Sequence, residues 1–345
     1  MSGISPRVLV ATTEPLTALY DVALLDLDGV VYIGPDPIPG AAAALAKARA
    51  AGMRLAFVTN NASRDPQTVA AHLVELGVPA DASDVVTSSQ AAAAVVAEHC
   101  GVGATVLICG APALRTAVEQ AGLRVVAGAD DRPDAVVQGY SPGLRYADLA
   151  EAALAIRAGA FWVATNADST LPSTRGLLPG NGALVAAIAT ATGLRPLVAG
   201  KPQLPLHAEG VQRSGAKHPL VVGDRLDTDI EGAHAAATDS LLVLTGVTRA
   251  SDLVGAPLQH RPTYLSPDLV GLLEAQPEVT SEGPTAGCGG WIATVRGSAG
   301  RNTIVLDGEG SAIDGLRALL RAAWSLGDVV LPIDADRALS RLGYS

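Results

Sequence analysis

Cysteine is scarce in this chain of 345 residues, with only Cys100, Cys109 and Cys288. An odd number without metal-ligand or redox spacing excludes a disulfide framework and a cysteine-based zinc or redox site, leaving buried free thiols. Lysine is also rare: Lys47, Lys201 and Lys217 are the only lysines among 24 basic residues. Long apolar runs are missing, since the alanine-rich segment is broken by Lys47 and Arg49 well before the roughly 18 residues a spanning helix needs. Near the start, Val8, Leu9 and Val10 give way to Thr12, Thr13 and Glu14, too short an apolar stretch for a secretory signal. These absences point to a cytoplasmic protein with no membrane partner. A basic surface is missing too. The formal net charge of −10 argues against nucleic acid, because binding a phosphate backbone rests on clustered cations. Small phosphate esters stay open, because a metal ion and a few cations make a pocket locally positive on an acidic protein.

What is present is an ordinary globular composition, 49% hydrophobic and 17% charged, with length for two domains and a smaller third piece. Short apolar runs alternate with alanine-rich helical stretches, the pattern of a doubly wound parallel α/β sheet. Strands are expected at Val22 to Leu27, Arg54 to Val58, Pro219 to Val222 and Leu241 to Leu244, with helices at Ala41 to Ala51 and Pro66 to Leu76. A second alternating series lies between about Ser89 and Pro196, with strands at Thr105 to Ile108, Ala135 to Gln138 and Phe161 to Ala164. It reads as an inserted α/β domain. The Gly- and Pro-rich stretch Pro277 to Gly290 reads as a linker, followed by two short strands and an amphipathic helix at Ile313 to Trp324. The expected division is a core of residues 1–84 and 197–277, an insertion of 85–196, and a linker with a small α+β extension over 278–345.

Four short motifs carry the chemistry. The run from Val22 to Leu25 ends in Asp26-Leu27-Asp28-Gly29, placing two carboxylates at the carboxyl end of an apolar strand, where open α/β sheets bind ligands. Phe57-Val58 ends in Thr59-Asn60-Asn61, a hydroxyl and two amides able to hydrogen-bond phosphate oxygens. Gly200-Lys201-Pro202 offers a cation. Val221-Val222-Gly223 runs into Asp224-Arg225-Leu226-Asp227-Thr228-Asp229, a set of carboxylates suited to a hard, oxygen-seeking cation. Taken singly, each also fits a bland reading as turn, cap or solvated surface. In this order they resemble the haloacid dehalogenase (HAD) superfamily of aspartate-nucleophile phosphohydrolases, over about residues 20–275.

The resemblance implies a Rossmann-like core, Mg2+ as cofactor, and a named role for each motif residue. Asp26 attacks phosphorus, and Asp28 is the general acid and base. Thr59 and Lys201 hold the phosphoryl group, with Gly29, Asn60 and Asn61 beside it. Magnesium is held by Asp26, Asp224 and the backbone carbonyl of Asp28, with Asp229 supporting. The chemistry is coherent, since a carboxylate nucleophile divides one difficult displacement into two easier ones, and phosphoryl transfer asks mainly for positioning and charge stabilisation.

Thr59 lies 33 residues after Asp26 but 142 residues before Lys201, so the insertion falls between the second and third motifs. That placement resembles the type IIA, C2-capped branch, which includes p-nitrophenylphosphatase-like, pyridoxal phosphate and phosphoglycolate phosphatases. Within the cap, Tyr140, Asp168 and Leu171 sit in stretches that reach substrate in this branch. Over its whole length the chain resembles bacterial glycerol 3-phosphate phosphatases with an extra C-terminal segment, through the stretches Arg132 to Gly139 and Arg175 to Gly182. The expected substrate is therefore a small phosphorylated metabolite, glycerol 3-phosphate first. 2-Phosphoglycolate, pyridoxal phosphate or a sugar phosphate are alternatives, and a non-catalytic phosphometabolite-binding protein is a remote one. No GxGxxG follows the first strand, which excludes the dinucleotide fingerprint. The C-terminal segment resembles part of a Gcn5-related acetyltransferase but shows no clear pyrophosphate-binding loop. A homo-oligomer is compatible with all of this.

Overall fold

The computed structural model describes residues 8–173, 175–298, 301–327 and 333–344. The chain forms two compact units, one of residues 1–55 and 216–345, the other of residues 56–215. Among the described residues no helix is long and apolar enough to cross a membrane.

The first unit is built on parallel strands Val22–Leu25, Pro219–Gly223, Asp239–Val243 and Tyr264–Ser266, each pairing with the next. Val22–Leu25 is buried at every position, as expected of a strand covered on both faces. It stops two residues earlier than the apolar run suggests, because Val30 and Val31 turn back to hydrogen-bond the Leu27 carbonyl. Asp26 therefore lies just beyond the strand, in the turn itself. The next expected strand begins two residues early, at Asp239 instead of Leu241. A polar first residue hid that start.

The C-terminal extension belongs to the same unit. It is a sheet of strands Thr280–Glu282, Thr285–Cys288, Trp291–Ser298 and Arg301–Gly308, antiparallel in succession, with Ile333–Asp334 added parallel to the last. The stretch read as a linker thus contains two strands. Gly283, with φ of 56°, makes the turn between them, and Ala286 and Cys288 alternate into the core. Glycine enrichment was a signal of hairpin turns here. Helix Ala312–Trp324 packs Leu316, Leu319, Leu320 and Ala323 into one apolar cluster with Leu242, Leu253 and Leu265 of the catalytic-type sheet and its helices.

The second unit carries a five-stranded parallel sheet in the order Leu197–Val198, Phe161–Ala164, Ala135–Gln138, Thr105–Cys109, Arg124–Val126. Helices Tyr146–Arg157 and Asn181–Thr192 cover one face, burying Trp162, Ile156 and Ile188. Strand Arg54–Thr59, whose start lies in the first unit, pairs in this unit with Val85–Thr87. Thr87 and Gln90 then form a reciprocal cap that starts helix Ser88–Cys100. A hairpin of Thr170–Ser173 and Gly176–Pro179 precedes Asn181–Thr192.

Candidate active site

In the first unit, Asp26 follows Val22–Leu25, and its N–H bonds the Val222 carbonyl at 2.8 Å, fixing it beside the neighbouring strand end. Asp224 follows Pro219–Gly223 directly. Asp229 lies in the wide helical turn Leu226–Ile230, and its carboxylate accepts the Arg225 N–H at 3.2 Å. Asp26, Asp224 and Asp229 each offer a carboxylate oxygen within 4.8 Å of the others. Asp224 and Asp229 are almost fully buried, at 0% and 1% exposure. Asp28, with an exposed side chain, lies two residues on from Asp26, in the loop closed by Gly29 N–H to the Tyr32 carbonyl at 2.8 Å.

Backbone approaches the trio closely from two sides. Gly29 has φ of 84°, and a Cβ there would fall 2.4 Å from Asp224 Oδ2; at Gly246 it would fall 2.0 Å from the same atom. Glycine is required at both by space, and at Gly29 by conformation as well. The loop carrying Gly246 completes the cradle: Val247 N–H donates to Asp224 Oδ2 at 2.6 Å, and Thr245 Oγ1 donates to the Gly29 carbonyl at 2.6 Å. Three clustered carboxylates, two without solvent, repel one another unless a cation lies among them. An all-oxygen set without His or Cys suits magnesium and does not suit zinc. The residues present fit a magnesium ion.

In the second unit, Thr59 is buried at the end of its strand, and its hydroxyl accepts the Asn61 N–H at 3.1 Å. Asn61 Oδ1 accepts both the N–H and the hydroxyl of Ser63 at 2.8 Å, fixing the turn into the next helix. Lys201 Nζ donates to the Val58 carbonyl at 3.3 Å, so the lysine head lies at the same strand end as Thr59. Asn60 joins the two segments. Its Oδ1 accepts the Lys201 N–H at 2.7 Å, and its Nδ2 donates to the Lys201 carbonyl at 3.2 Å and to Asp168 Oδ2 at 3.5 Å. His207, one helical turn into Leu204–Ser214, is held neutral, its pKa lowered to about 4 by burial and then by the Lys201 charge.

Two of the cap residues lie at the carboxyl end of the five-stranded sheet. Tyr140 follows Ala135–Gln138 and Asp168 follows Phe161–Ala164, two neighbouring parallel strands, so both loops leave the same carboxyl end. The Asp168 loop is braced by the start of helix Asn181–Thr192. Gly182 N–H bonds the Asp168 carbonyl at 2.8 Å, Asn181 Nδ2 bonds the Asn166 carbonyl at 2.8 Å, and a Cβ on Gly182 would fall 2.2 Å from the Ala167 carbonyl oxygen. The Gly180-Asn181-Gly182 turn therefore allows close backbone approach. Leu171 is half-buried in the hairpin, opposite Leu178.

Sequence reasoning missed the Thr245-Gly246-Val247 loop and the clamp that Asn60 makes on Lys201, and it gave Asp229 only a supporting part where its carboxylate lies within the trio. A glycine shortly after the end of strand Asp239–Val243 was the available signal for the first. The clamp left no periodicity to read.

Residues 23–124 match the haloacid dehalogenase-like hydrolase family model, residues 198–272 a HAD-hydrolase-like model, and residues 288–344 a GCN5-related N-acetyltransferase-like domain. The chain is 50% identical over 309 residues to D-glycerol 3-phosphate phosphatase of Mycobacterium tuberculosis, covering 88% of this chain and 86% of that protein. It is 36% identical over 252 residues to the acid sugar phosphatase of Staphylococcus aureus, covering 72% of this chain and 95% of the relative. The crystal structure of the M. tuberculosis glycerol phosphate phosphatase in complex with magnesium superposes with a TM-score of 0.86 at 46% identity, over 96% of this chain and 100% of that one. A calcium complex of the same protein gives the same TM-score at 47% identity.

Proposed function

The chain belongs to the haloacid dehalogenase-like hydrolase family and is a magnesium-dependent phosphatase, and on that premise we propose that its substrate is glycerol 3-phosphate and its nucleophile Asp26. The observation that carries the mechanism is the trio of Asp26, Asp224 and Asp229 with oxygens within 4.8 Å. The substrate reading rests on the 50% identity to a D-glycerol 3-phosphate phosphatase across most of both chains.

In this reading an Asp26 carboxylate oxygen attacks phosphorus, a new P–O bond forms, and the bond from phosphorus to the glycerol oxygen breaks. Asp28, exposed beside the strand end, gives its proton to the departing alkoxide. It then takes a proton from water, which attacks the aspartyl-phosphate, releases inorganic phosphate and restores Asp26. Thr59 and Lys201 bind the phosphoryl oxygens through the hydroxyl and the ammonium. Asp26 and Asp224, with the Asp28 carbonyl and the Asp229 carboxylate beside them, would hold magnesium, which when bound would offset the repulsion between nucleophile and phosphate and polarise the phosphoryl group. The assignment gives residues 1–84 and 197–277 to catalysis, 85–196 to substrate selection by Tyr140, Asp168 and Leu171, and 278–345 to support. A cytoplasmic location and a homo-oligomer are part of the same reading.

A phosphate-release screen with magnesium over glycerol 3-phosphate, 2-phosphoglycolate, pyridoxal phosphate and sugar phosphates tests it. Glycerol 3-phosphate is expected to give the highest kcat/KM, and changes at Tyr140, Asp168 or Leu171 should reorder the substrates more than they move the magnesium requirement. A sugar phosphate that outranks glycerol 3-phosphate by tenfold or more would shift the substrate to the acid sugar phosphatase side.

A further inference from the structure

Asn60 was expected to touch phosphate. Its hydrogen-bonding capacity is committed elsewhere. A primary amide has two N–H donors, and those of Asn60 go to the Lys201 carbonyl at 3.2 Å and Asp168 Oδ2 at 3.5 Å. Its oxygen accepts the Lys201 N–H at 2.7 Å, which fixes the orientation of the amide, since the flipped group would set donor against donor. The Asn60 main-chain carbonyl is engaged as well, by Ser88 Oγ at 2.7 Å and Asn166 Nδ2 at 2.8 Å. A phosphoryl oxygen offers only acceptors, so the side chain cannot serve it without releasing Lys201 or Asp168. Gly200 marks how tight the fit is, for a Cβ there would lie 2.6 Å from Asn60 Oδ1.

We propose that Asn60 is a positioning residue that grips the Lys201 main chain from both sides and ties it to the Asp168 loop, so that the phosphate-binding lysine and the substrate-selecting loop are set by one amide. The proposal rests on the reading of Lys201 as the phosphoryl-binding cation. Asn60 acts through Lys201: the clamp fixes where the side chain departs from the backbone, and the Val58 carbonyl receives its far end at 3.3 Å. A displacement of the lysine head by about 1 Å is enough to lose most of its contribution.

A double-mutant cycle on the full-length protein with magnesium tests this. Asn60→Ala alone should lower kcat/KM for glycerol 3-phosphate by about 30-fold, and Lys201→Ala alone by about 1,000-fold. The double variant should match Lys201→Ala within about threefold, because nothing remains for Asn60 to position. Inhibition by inorganic phosphate should follow the same non-additive pattern, a readout that a general loss of stability would not reproduce. Additive losses would overturn the proposal and return Asn60 to direct phosphate contact. Full activity in Asn60→Ala would overturn it too. Near-normal activity in Lys201→Ala would instead sink the reading of the lysine, and the proposal with it. Should Asn60→Ala fail to fold, the cycle is repeated with Asn60→Asp. That variant keeps the acceptor for the Lys201 N–H and loses both donors, so a loss again confined to the Lys201 background supports the clamp and an additive one refutes it.

Discussion

The carboxylate trio and the Lys201 group are assembled by different means. Asp26 and Asp224 are placed by the ends of neighbouring parallel strands paired residue by residue, and glycine backbone at positions 29 and 246 closes on Asp224 where no side chain would fit. Lys201 belongs to a loop, positioned by side-chain hydrogen bonds from Asn60 and a contact to the Val58 carbonyl. The first arrangement is set by main-chain geometry and tolerates almost no change in volume. The second is wired by polar side chains and should lose function gradually as single bonds are removed. The largest effect is therefore expected in the trio. Asp26→Asn should lower turnover by at least about 10,000-fold with the fold intact, because the amide is nearly isosteric but a poor nucleophile. Melting temperature and phosphate release together check this, and appreciable steady-state activity in a verified, undeamidated sample would remove the covalent mechanism.

A smaller effect tests the glycine cradle. In Gly246→Ala the new methyl would meet Asp224 Oδ2 at 2.0 Å and Gly29 Cα at 2.8 Å, so the carboxylate or the loop must move. Magnesium affinity, measured by titration calorimetry on the folded protein, should fall about 10- to 100-fold, the range usual for residues that hold metal ligands in place. Unchanged affinity would mean that the trio is less tightly set by its backbone than the comparison holds.

How much of this the sequence disclosed follows from the same contrast. Asp26, Asp28, Thr59, Lys201 and Asp224 were legible because each stands at a fixed offset from an apolar run or a glycine, and strand ends announce themselves in that way. The parallel sheet and the inserted domain were legible through alternation. The Asn60 clamp was not, since it joins residues 141 positions apart through an amide whose sequence context fits a cap or turn equally well. Thr245 and Val247 were overlooked for a related reason: one acts through a hydroxyl donated to a main-chain carbonyl and the other through its own N–H, and a main-chain donor leaves no residue type to read. The C-terminal strands hid in a glycine-rich stretch because hairpin turns and linkers share a composition.

The extension extends the comparison from catalysis to stability. Its helix Ala312–Trp324 shares an apolar cluster with the strands of its unit, and Arg317 is buried within it, bonded to the Leu265 carbonyl, to Gln276 Oε1 at 3.2 Å and to Asp314. Trp324 Nε1 adds a bond to the Leu253 carbonyl at 2.9 Å. Removal of the extension would therefore bare a broad apolar surface, and the truncated protein should be poorly soluble without any loss of motif residues. Arg317→Ala isolates the polar part: it strands Asp314 and two buried acceptors, and should cost about 3 kcal/mol in urea unfolding, with kcat in the folded fraction close to wild type. A stability change below about 0.5 kcal/mol would show that the cluster alone fastens the extension.

The smallest effect appears only in acid and belongs to the Lys201 side of the comparison. His207 has a folded-state pKa lowered to about 4, first by burial and second by the Lys201 charge, against about 6.5 in an unfolded chain. The unfolded state thus binds the proton more readily, and stability must fall as protons are added. Above about pH 6.5 the imidazole is neutral in both states and exerts no pH-dependent penalty. As pH falls from there toward 4 the penalty grows, and below about 4 it levels off at no more than about 3 kcal/mol. His207→Gln removes the titration, so between pH 6.5 and 4 its melting temperature should decline less steeply than that of the wild type, with the two slopes equal above pH 7. If Lys201 supplies part of the shift, Lys201→Met should also flatten the wild-type decline, though by less than His207→Gln does. Parallel curves for all three proteins would place the imidazole in a more solvated setting than its burial indicates, and the lysine charge would then be screened from its neighbour.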